Sequence, residues 1–280
     1  MNHPFKTFAG SFLPLTSFRS VSVLLFACFL FSGFAAIGQK SKSAKTQRDY
    51  LEIRVYHATD ASQLAAIDGY LQSSLLPALE KGGFKRNGVF TAIDNDTAAD
   101  KRLYVFIPFS SLSQLEQVAA IADRTVGDSV KAASYTNAAY NKAPYTRFEN
   151  IVVHAFEGMP QVKASGVKGD LSQRVYELRS YESATEALHQ NKVKMFNSGE
   201  VELFQRLGFN AVFYGQVVAG CHMPNLMYMT SFETKASREE HWKAFGSDPV
   251  WKAMSGDPIY QHNVSHIDIT FLRPVAYSKL

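Results

Sequence analysis

An α+β fold is predicted, with two tandem ferredoxin-like units of the order strand-helix-strand-strand-helix-strand. Residues 52–56 (EIRVY) return as residues 177–181 (ELRSY), an offset of 125 residues (177 − 52). A Gly-Phe pair at 83–84 returns at 208–209, at the same offset. Strand and helix periodicities follow in the same order in both copies. Helices cover one face of each sheet, so we expect the two sheets to pack together as an α/β barrel closed within one chain.

The first copy begins with a strand, because residues 51–56 alternate apolar and polar side chains. Apolar residues spaced by three and four then predict a helix capped by Asp60 and bent near Pro77. The remaining predicted elements are strands at 89–93, 103–109 and 151–156 and a helix from Ser113.

The second copy repeats this order with clearer helix boundaries. Ser183-Ala184-Thr185-Glu186 predicts a capping box, and Gly208 predicts the end of that helix. Strands are predicted at 176–181, 212–218, 226–232 and 267–271, with a further helix opening at Ser237. Asp248-Pro249 predicts the start of a short last helix.

The first 38 residues predict a secretory signal. They contain Lys6 and Arg19 but no acidic residue, then an apolar run at 21–31 and small residues up to Gly38. We expect export to the periplasm or medium, with cleavage near Gly38-Gln39 and no stable membrane span afterwards. An uncleaved anchor is the alternative, because 21–37 has a borderline length for crossing a bilayer. The box around Cys28 leaves lipidation as a minor alternative.

This interpretation divides the chain into a signal, a flexible tether, a first domain, a linker and a second domain. Their ranges are 1–38, 39–49, 50–157, 158–172 and 173–280. Cleavage lowers the formal net charge from +4 to +2, because Lys6 and Arg19 leave. A nearly neutral surface with a short basic tether predicts no nucleic-acid partner. Cys221 becomes the only thiol, so no intrachain disulfide is expected.

The repeated triplets are the first candidate ligand-binding residues. Within each strand, residues two apart share a face, so the three polar members of each triplet point the same way. We expect that face to point into the barrel or its rim, and the alternating apolar face to meet the helices. The structural interpretation is that Glu and Arg pair across strands and hold the sheets in register. The functional one is that they line a pocket. These candidates are Glu52, Arg54, Tyr56, Glu177, Arg179 and Tyr181.

His154 and Tyr214 complete the candidate set, and no catalytic residue is assigned. His154 ends the last strand of the first copy, and we consider whether it approaches His266 across the two copies. His262 and His266 are too far apart on one strand to share a zinc ion, so no metal site is expected. Cys221-His222 lies in a predicted hairpin. A nucleophile and its base need a third group that orients the base, and none is recognisable in the sequence, which favours a structural or incidental role. No phosphate-binding loop, zinc-protease or serine-hydrolase motif is present in the sequence, and no cofactor is expected.

The second copy resembles the NIPSNAP domain of the dimeric α/β-barrel superfamily. The resemblance rests on residues 176–181, 194–196, 208–209, 224–226 and 248–251 (YELRSY, KMF, GF, PNL and DPVW). The first copy is similar but lacks the last of these motifs. The whole chain resembles exported bacterial members with two domains. The resemblance implies the barrel fold and self-association, and it implies no agreed reaction.

Three functions are therefore compared. The first is a module that binds a small apolar or aromatic compound or a partner protein, which makes a non-enzyme the favoured class. The second is an enzyme of the kinds the superfamily contains: a cofactor-independent monooxygenase, an isomerase acting on small aromatics, or a haem-handling protein. The third is an assembly protein that uses the barrel edges for oligomerisation.

Overall fold

A computed structural model of the chain describes residues 46–126 and 132–280. The predicted signal and residues 39–45 of the predicted tether lie outside these ranges. Within the described residues, no helix has the length and apolar character needed to span a bilayer.

Eight antiparallel strands form one closed barrel in the order β1-β3-β2-β8-β5-β7-β6-β4. Their bounds are β1 Tyr50–Ala58, β2 Gly88–Ala92, β3 Lys101–Phe109, β4 Arg147–Ala155, β5 Val175–Glu182, β6 Asn210–Ala219, β7 Asn225–Phe232 and β8 His266–Pro274. The first half has the internal order β4-β1-β3-β2, and the second half has the equivalent order β8-β5-β7-β6. The halves join where β2 pairs with β8 and where β4 pairs with β6. The mixed α/β fold and the closed barrel are therefore confirmed.

The helices lie in matching places in the two halves. They are α1 Ala61–Tyr70, α2 Leu76–Lys81, α3 Ser113–Thr125, α4 Ala133–Thr136, α5 Glu186–Met195, α6 Val201–Arg206, α7 Lys235–Ser247 and α8 Pro249–Gly256. One π-helical turn joins α1 to α2 at Leu71–Leu75, and another joins α5 to α6 at Phe196–Glu200. A short 3₁₀ turn follows at Pro258–Tyr260. The first helix, the π turn and the second helix of each half share the offset of 125 residues (186 − 61).

Two predicted helix starts are displaced by a few residues. Thr185, not Ser183, caps α5, because its side chain accepts the backbone N–H of Leu188. Thr234 caps α7 three residues before the predicted start at Ser237. The predicted caps at Asp60 and Asp248 are confirmed by their hydrogen bonds to the following backbone N–H groups. Several hydroxyls near a helix start compete for the cap, and spacing alone does not decide between them.

An apolar core fills the barrel lumen, and a second layer of core lies between the sheet and the helices of each half. The predicted linker contributes to this packing, because Met159, Val162 and Val167 are buried. Leu280 also lies in the lumen core, where its carbonyl accepts a hydrogen bond from the hydroxyl of Tyr176 at 3.3 Å. An eight-stranded barrel has a lumen just wide enough to be filled by side chains.

Candidate functional site

The repeated triplets face the helices and not the barrel lumen, so the predicted orientation is wrong. Leu51, Ile53 and Leu178 lie in the lumen core. Tyr56 packs in the helix-side core of the first half, and Tyr181 in that of the second. The apolar faces of both halves meet in the narrow lumen, where few polar groups could be satisfied. The polar faces of β1 and β5 therefore point into the layer between the sheet and the helices.

Within each triplet, the ion pair forms inside one strand. Arg54 Nε donates to Glu52 Oε1 at 2.7 Å, and Arg179 Nε donates to Glu177 Oε1 at 2.7 Å. The predicted pairing across strands is therefore wrong. Side chains two apart on one strand face the same way, and the long arginine side chain reaches back to the carboxylate.

In the second half, three donor residues surround the fully buried carboxylate of Glu177. Arg238 donates to both oxygens, at 2.8 and 2.9 Å, and Trp242 Nε1 donates to Oε2 at 2.7 Å. Burial acts to raise the pKa of Glu177. The hydrogen bond from Arg238, the charge of Arg179 and the indole N–H outweigh it, so the pKa is lowered from its ordinary value. Glu177 therefore stays ionised at neutral pH and fixes both arginines in place.

Two buried phenols continue this network from Arg179. Its Nη1 donates to the hydroxyl of Tyr181 at 2.9 Å, and this hydroxyl shares a hydrogen bond of 2.8 Å with that of Tyr228. Burial raises the pKa of both phenols, more strongly for Tyr228. Both therefore stay protonated at neutral pH and serve as neutral hydrogen-bonding groups.

A second buried ion pair lies under the same helices. Lys192 Nζ on α5 contacts Glu200 Oε2 in the π turn at 2.9 Å, and both side chains are almost fully buried. Burial raises the pKa of Glu200, and the charges of Lys192 and Arg179 only partly oppose this. Lys192 Nζ also lies 4.8 Å from the ring centre of Phe196. The π turn shifts the helical register between the two residues, as such turns often do at functional sites.

A cavity of about 420 Å³ opens between these groups and the helices of the second half. This volume is within the range of small-molecule pockets. Its polar lining includes Arg179, Tyr181, Tyr228, Lys192 and Glu200. Its aromatic walls are formed by Trp242, Phe245, Trp251 and Tyr260.

The first half keeps the triplet but not this polar lining. At the offset of 125 residues, Lys192 corresponds to Ile67 and Glu200 to Leu75, and both apolar side chains are fully buried. Tyr135 stacks on Tyr70 with ring centres 4.0 Å apart and approaches Tyr56 edge-on at 6.3 Å. The equivalent space is thus lined by apolar and aromatic side chains. Comparing the two copies at this offset would have revealed Lys192 and Glu200 from the sequence.

The other predicted residues lie apart from the pocket or behind it. Tyr214 is buried behind Tyr228, with ring centres 5.6 Å apart. His154 stacks on Tyr50 at 4.3 Å, and burial and the charge of Arg48 lower its pKa. His154 pairs with the first residue of β1, whereas His266 pairs with the last residue of β5. The two histidines therefore lie at opposite ends of the barrel and do not approach each other.

These features define a closed α/β-barrel protein with one polar, aromatic-walled pocket in its second half. Residues 176–279 match the NIPSNAP family model. No curated protein matches the chain.

Two solved structures with little sequence identity share the fold. A putative monooxygenase from Fusobacterium nucleatum superposes with a TM-score of 0.55 at 7% identity, covering 84% of this chain and 97% of that one. A putative monooxygenase from Lactobacillus acidophilus gives 0.51 at 10% identity, covering 81% and 94%. A NIPSNAP family protein from Agrobacterium tumefaciens is 18% identical, with a TM-score of 0.34, covering 38% of this chain and 98% of its own.

Proposed function

We propose that the second half of the chain binds a small aromatic anion in the pocket between its sheet and helices. The observation that carries the proposal is the charge of the groups that line the pocket. Its lining contains two cations, Arg179 and Lys192, and one carboxylate, Glu200, whose pKa is raised by burial. The two cations attract a ligand carboxylate, and burial strengthens that attraction.

The walls of the cavity favour a flat ligand. The guanidinium carbon of Arg179 lies 3.8 Å from the ring centre of Trp242, and Trp251 packs on Phe245 at 4.5 Å. Aromatic rings offer area for stacking, while Tyr181 and Lys192 offer hydrogen bonds to a carboxylate or phenol. Binding of a small aromatic molecule agrees with the function favoured by the sequence.

The two tryptophans of the chain both line this pocket, so intrinsic fluorescence reports directly on it. The experiment is a fluorescence titration with 4-hydroxybenzoate and with its neutral amide, 4-hydroxybenzamide. We expect the acid to bind at least about tenfold more tightly, which corresponds to about 1.4 kcal/mol. Equal binding of acid and amide, or no binding of either at about 10 mM, would contradict the proposal.

A matched pair of variants separates the pocket from general effects on the barrel. Tyr181→Phe removes the hydroxyl that Arg179 contacts, and Tyr56→Phe removes the corresponding hydroxyl in the first half. We expect the first change to weaken binding of 4-hydroxybenzoate about tenfold, and the second to leave it unchanged. If both changes weakened binding equally, 4-hydroxybenzoate would bind outside the proposed pocket.

A second candidate is cofactor-independent oxygenation of the bound aromatic. The hydrogen-bonded phenols of Tyr181 and Tyr228 favour it, because they could relay a proton to or from a ligand hydroxyl. The fold likeness to putative monooxygenases supports it only at the level of architecture. Oxygen uptake in the presence of the tightest-binding phenol tests this activity, with Tyr181→Phe as the comparison.

We extend the proposal to the domain organisation, export and self-association of the protein. The equivalent strand orders of the two halves support a tandem of ferredoxin-like units. The apolar run at 21–31 supports export with cleavage near Gly38-Gln39. Native mass spectrometry of the protein from its host would give the mature N-terminus, any retained ligand and any self-association in one measurement.

A further inference from the structure

One mouth of the barrel has a polar rim, on the opposite face of β5 and β8 from the helix-side pocket. On β5, Leu178 faces the lumen, so Ser180 and Glu182 face it as well. Glu182 pairs directly with His266 on β8, and Ser180 pairs with Asp268. Glu182, His266 and Asp268 are therefore on one face of two neighbouring strands.

These three side chains converge. One ligand atom from each lies within 4.8 Å of the others, and His266 Nε2 is 3.2 Å from Asp268 Oδ1. Small rotations of these partly exposed side chains would place all three ligand atoms about 2.0–2.2 Å from one zinc ion, the usual length of a zinc–ligand bond. The imidazole and the two carboxylates come from positions that the β5–β8 register already holds together.

The charges at this mouth also favour a cation. In the described part of the chain, neither Glu182 nor Asp268 is paired with a lysine or arginine. His222 Nδ1, in the turn between β6 and β7, lies 2.9 Å from Glu182 Oε1 and orients that carboxylate from outside. Hydrogen-bonded partners of this kind are typical around metal-binding carboxylates.

We propose that Glu182, His266 and Asp268 bind a divalent first-row transition metal, with water completing its coordination. An imidazole with two carboxylates suits borderline ions such as Zn²⁺ better than Mg²⁺, which keeps to oxygen ligands. The sequence concealed this site, because its ligands come from two strands about 85 residues apart. It is independent of the helix-side pocket, which lies on the other face of β5.

The proposed metal has a structural consequence. The pairing between β2 and β8 covers residues 272–274 of β8, and Ile93 N–H, just after β2, also donates to the carbonyl of Phe271 at 2.9 Å, so residues 266–270 are held in the sheet by β5 alone. A metal bound to Glu182 and to two residues of β8 would join this half of β8 more firmly to β5. Metal binding would therefore raise the thermal stability of the barrel.

The test is calorimetric titration of Zn²⁺ into untagged, chelator-treated full-length chain, in the wild type and in single variants. We expect one equivalent to bind, and His266→Ala to weaken binding at least tenfold. The matched control is His262→Ala, which removes a nearby imidazole outside the cluster and should leave the affinity unchanged. Cys221→Ser should also leave it unchanged, which excludes the neighbouring thiol as the zinc ligand.

Thermal melts with and without Zn²⁺ provide the second measurement. The ion should raise the melting temperature of the wild type and of His262→Ala but not of His266→Ala. If His266→Ala does not fold without zinc, Asp268→Asn, which keeps the shape of the side chain, takes its place. The proposal is overturned if His266→Ala and Asp268→Asn bind zinc as tightly as the wild type, or if Cys221→Ser abolishes binding.

Discussion

Trp242 on α7 donates its indole N–H to Glu177 on β5 at 2.7 Å, and its ring lies against the guanidinium of Arg179. One side chain therefore contacts both members of the ion pair inside the strand. This contact joins the helix to the sheet at the pocket wall. In the first half, α3 contains no tryptophan, and Glu52 Oε2 has no hydrogen-bond partner in the described structure.

Trp242→Phe tests how much the indole N–H contributes. Phenylalanine keeps most of the apolar contact but removes one hydrogen bond to a buried carboxylate. We expect a loss of about 1.5–3 kcal/mol in the free energy of unfolding. Urea denaturation measures this, with Trp251→Phe as the matched control, because Trp251 lines the same pocket. A loss no larger than that of the control would mean that the hydrogen bond contributes little.

Glu177→Gln tests the pH dependence of the network. The pKa of Glu177 is lowered in the folded state, so the folded protein binds fewer protons than the unfolded chain. The resulting stability is present above the unfolded pKa of about 4.3 and is lost as the pH falls through the lower folded pKa. We expect Glu177→Gln to be much less stable than the wild type at pH 7, with the difference narrowing below about pH 4.3.

Melting temperatures from pH 7 to pH 3 measure this difference. Glu202→Gln is the control, because it removes the charge of an exposed carboxylate in the same half. A constant gap between wild type and Glu177→Gln across the pH range would show that the carboxylate contributes by packing alone.

The sequence predicted the order of the strands and helices because periodicity, Gly-Phe helix ends and Asp caps are local signals. It did not predict which face of β1 and β5 meets the lumen, because alternation alone assigns two faces without saying what covers each. The charged face was placed inside, whereas the lumen takes the apolar face. Trp242 was missed as a partner of Glu177 because the two residues are 65 positions apart.

The pair of Lys192 and Glu200 was missed for a different reason. Residues eight apart are not neighbours on a regular α-helix, and here an intervening π turn brings them together. The turn is not visible in the hydrophobic spacing. Gly199, with φ of 154°, lies within it and adopts a backbone conformation that other residues rarely take.

Replacing the Lys192–Glu200 pair with the equivalent residues of the first half separates the contribution of the pair to stability from its contribution to ligand binding. Lys192→Ile alone leaves a buried carboxylate without its partner, so we expect a loss of about 3–5 kcal/mol. The double change Lys192→Ile with Glu200→Leu should recover most of this loss, because apolar replacements of buried ion pairs are often neutral or stabilising. Binding of 4-hydroxybenzoate should fall in both variants.

Urea denaturation and the fluorescence titration together measure these outcomes. A double variant as unstable as Lys192→Ile alone would mean that the second half depends on this ion pair for its packing. If the double variant binds 4-hydroxybenzoate as tightly as the wild type, Lys192 does not contribute to ligand binding.

Gly215→Ala tests the contact between β4 and β6 that closes the barrel. An added Cβ at Gly215 would lie 2.4 Å from Val153 Cγ1 and 2.7 Å from the backbone oxygen of His154. The backbone atom cannot move without disturbing the pairing of β4 with β6, so we expect a loss of about 1–3 kcal/mol. Gly69→Ala is the matched control, because Gly69 lies in α1 with open space around it and should gain about 0.5–1 kcal/mol. Urea denaturation with an unchanged m-value would show that both changes alter the free energy of unfolding and not the surface exposed on unfolding. A Gly215→Ala variant as stable as the wild type would show that β4 and β6 can move apart without loss of stability.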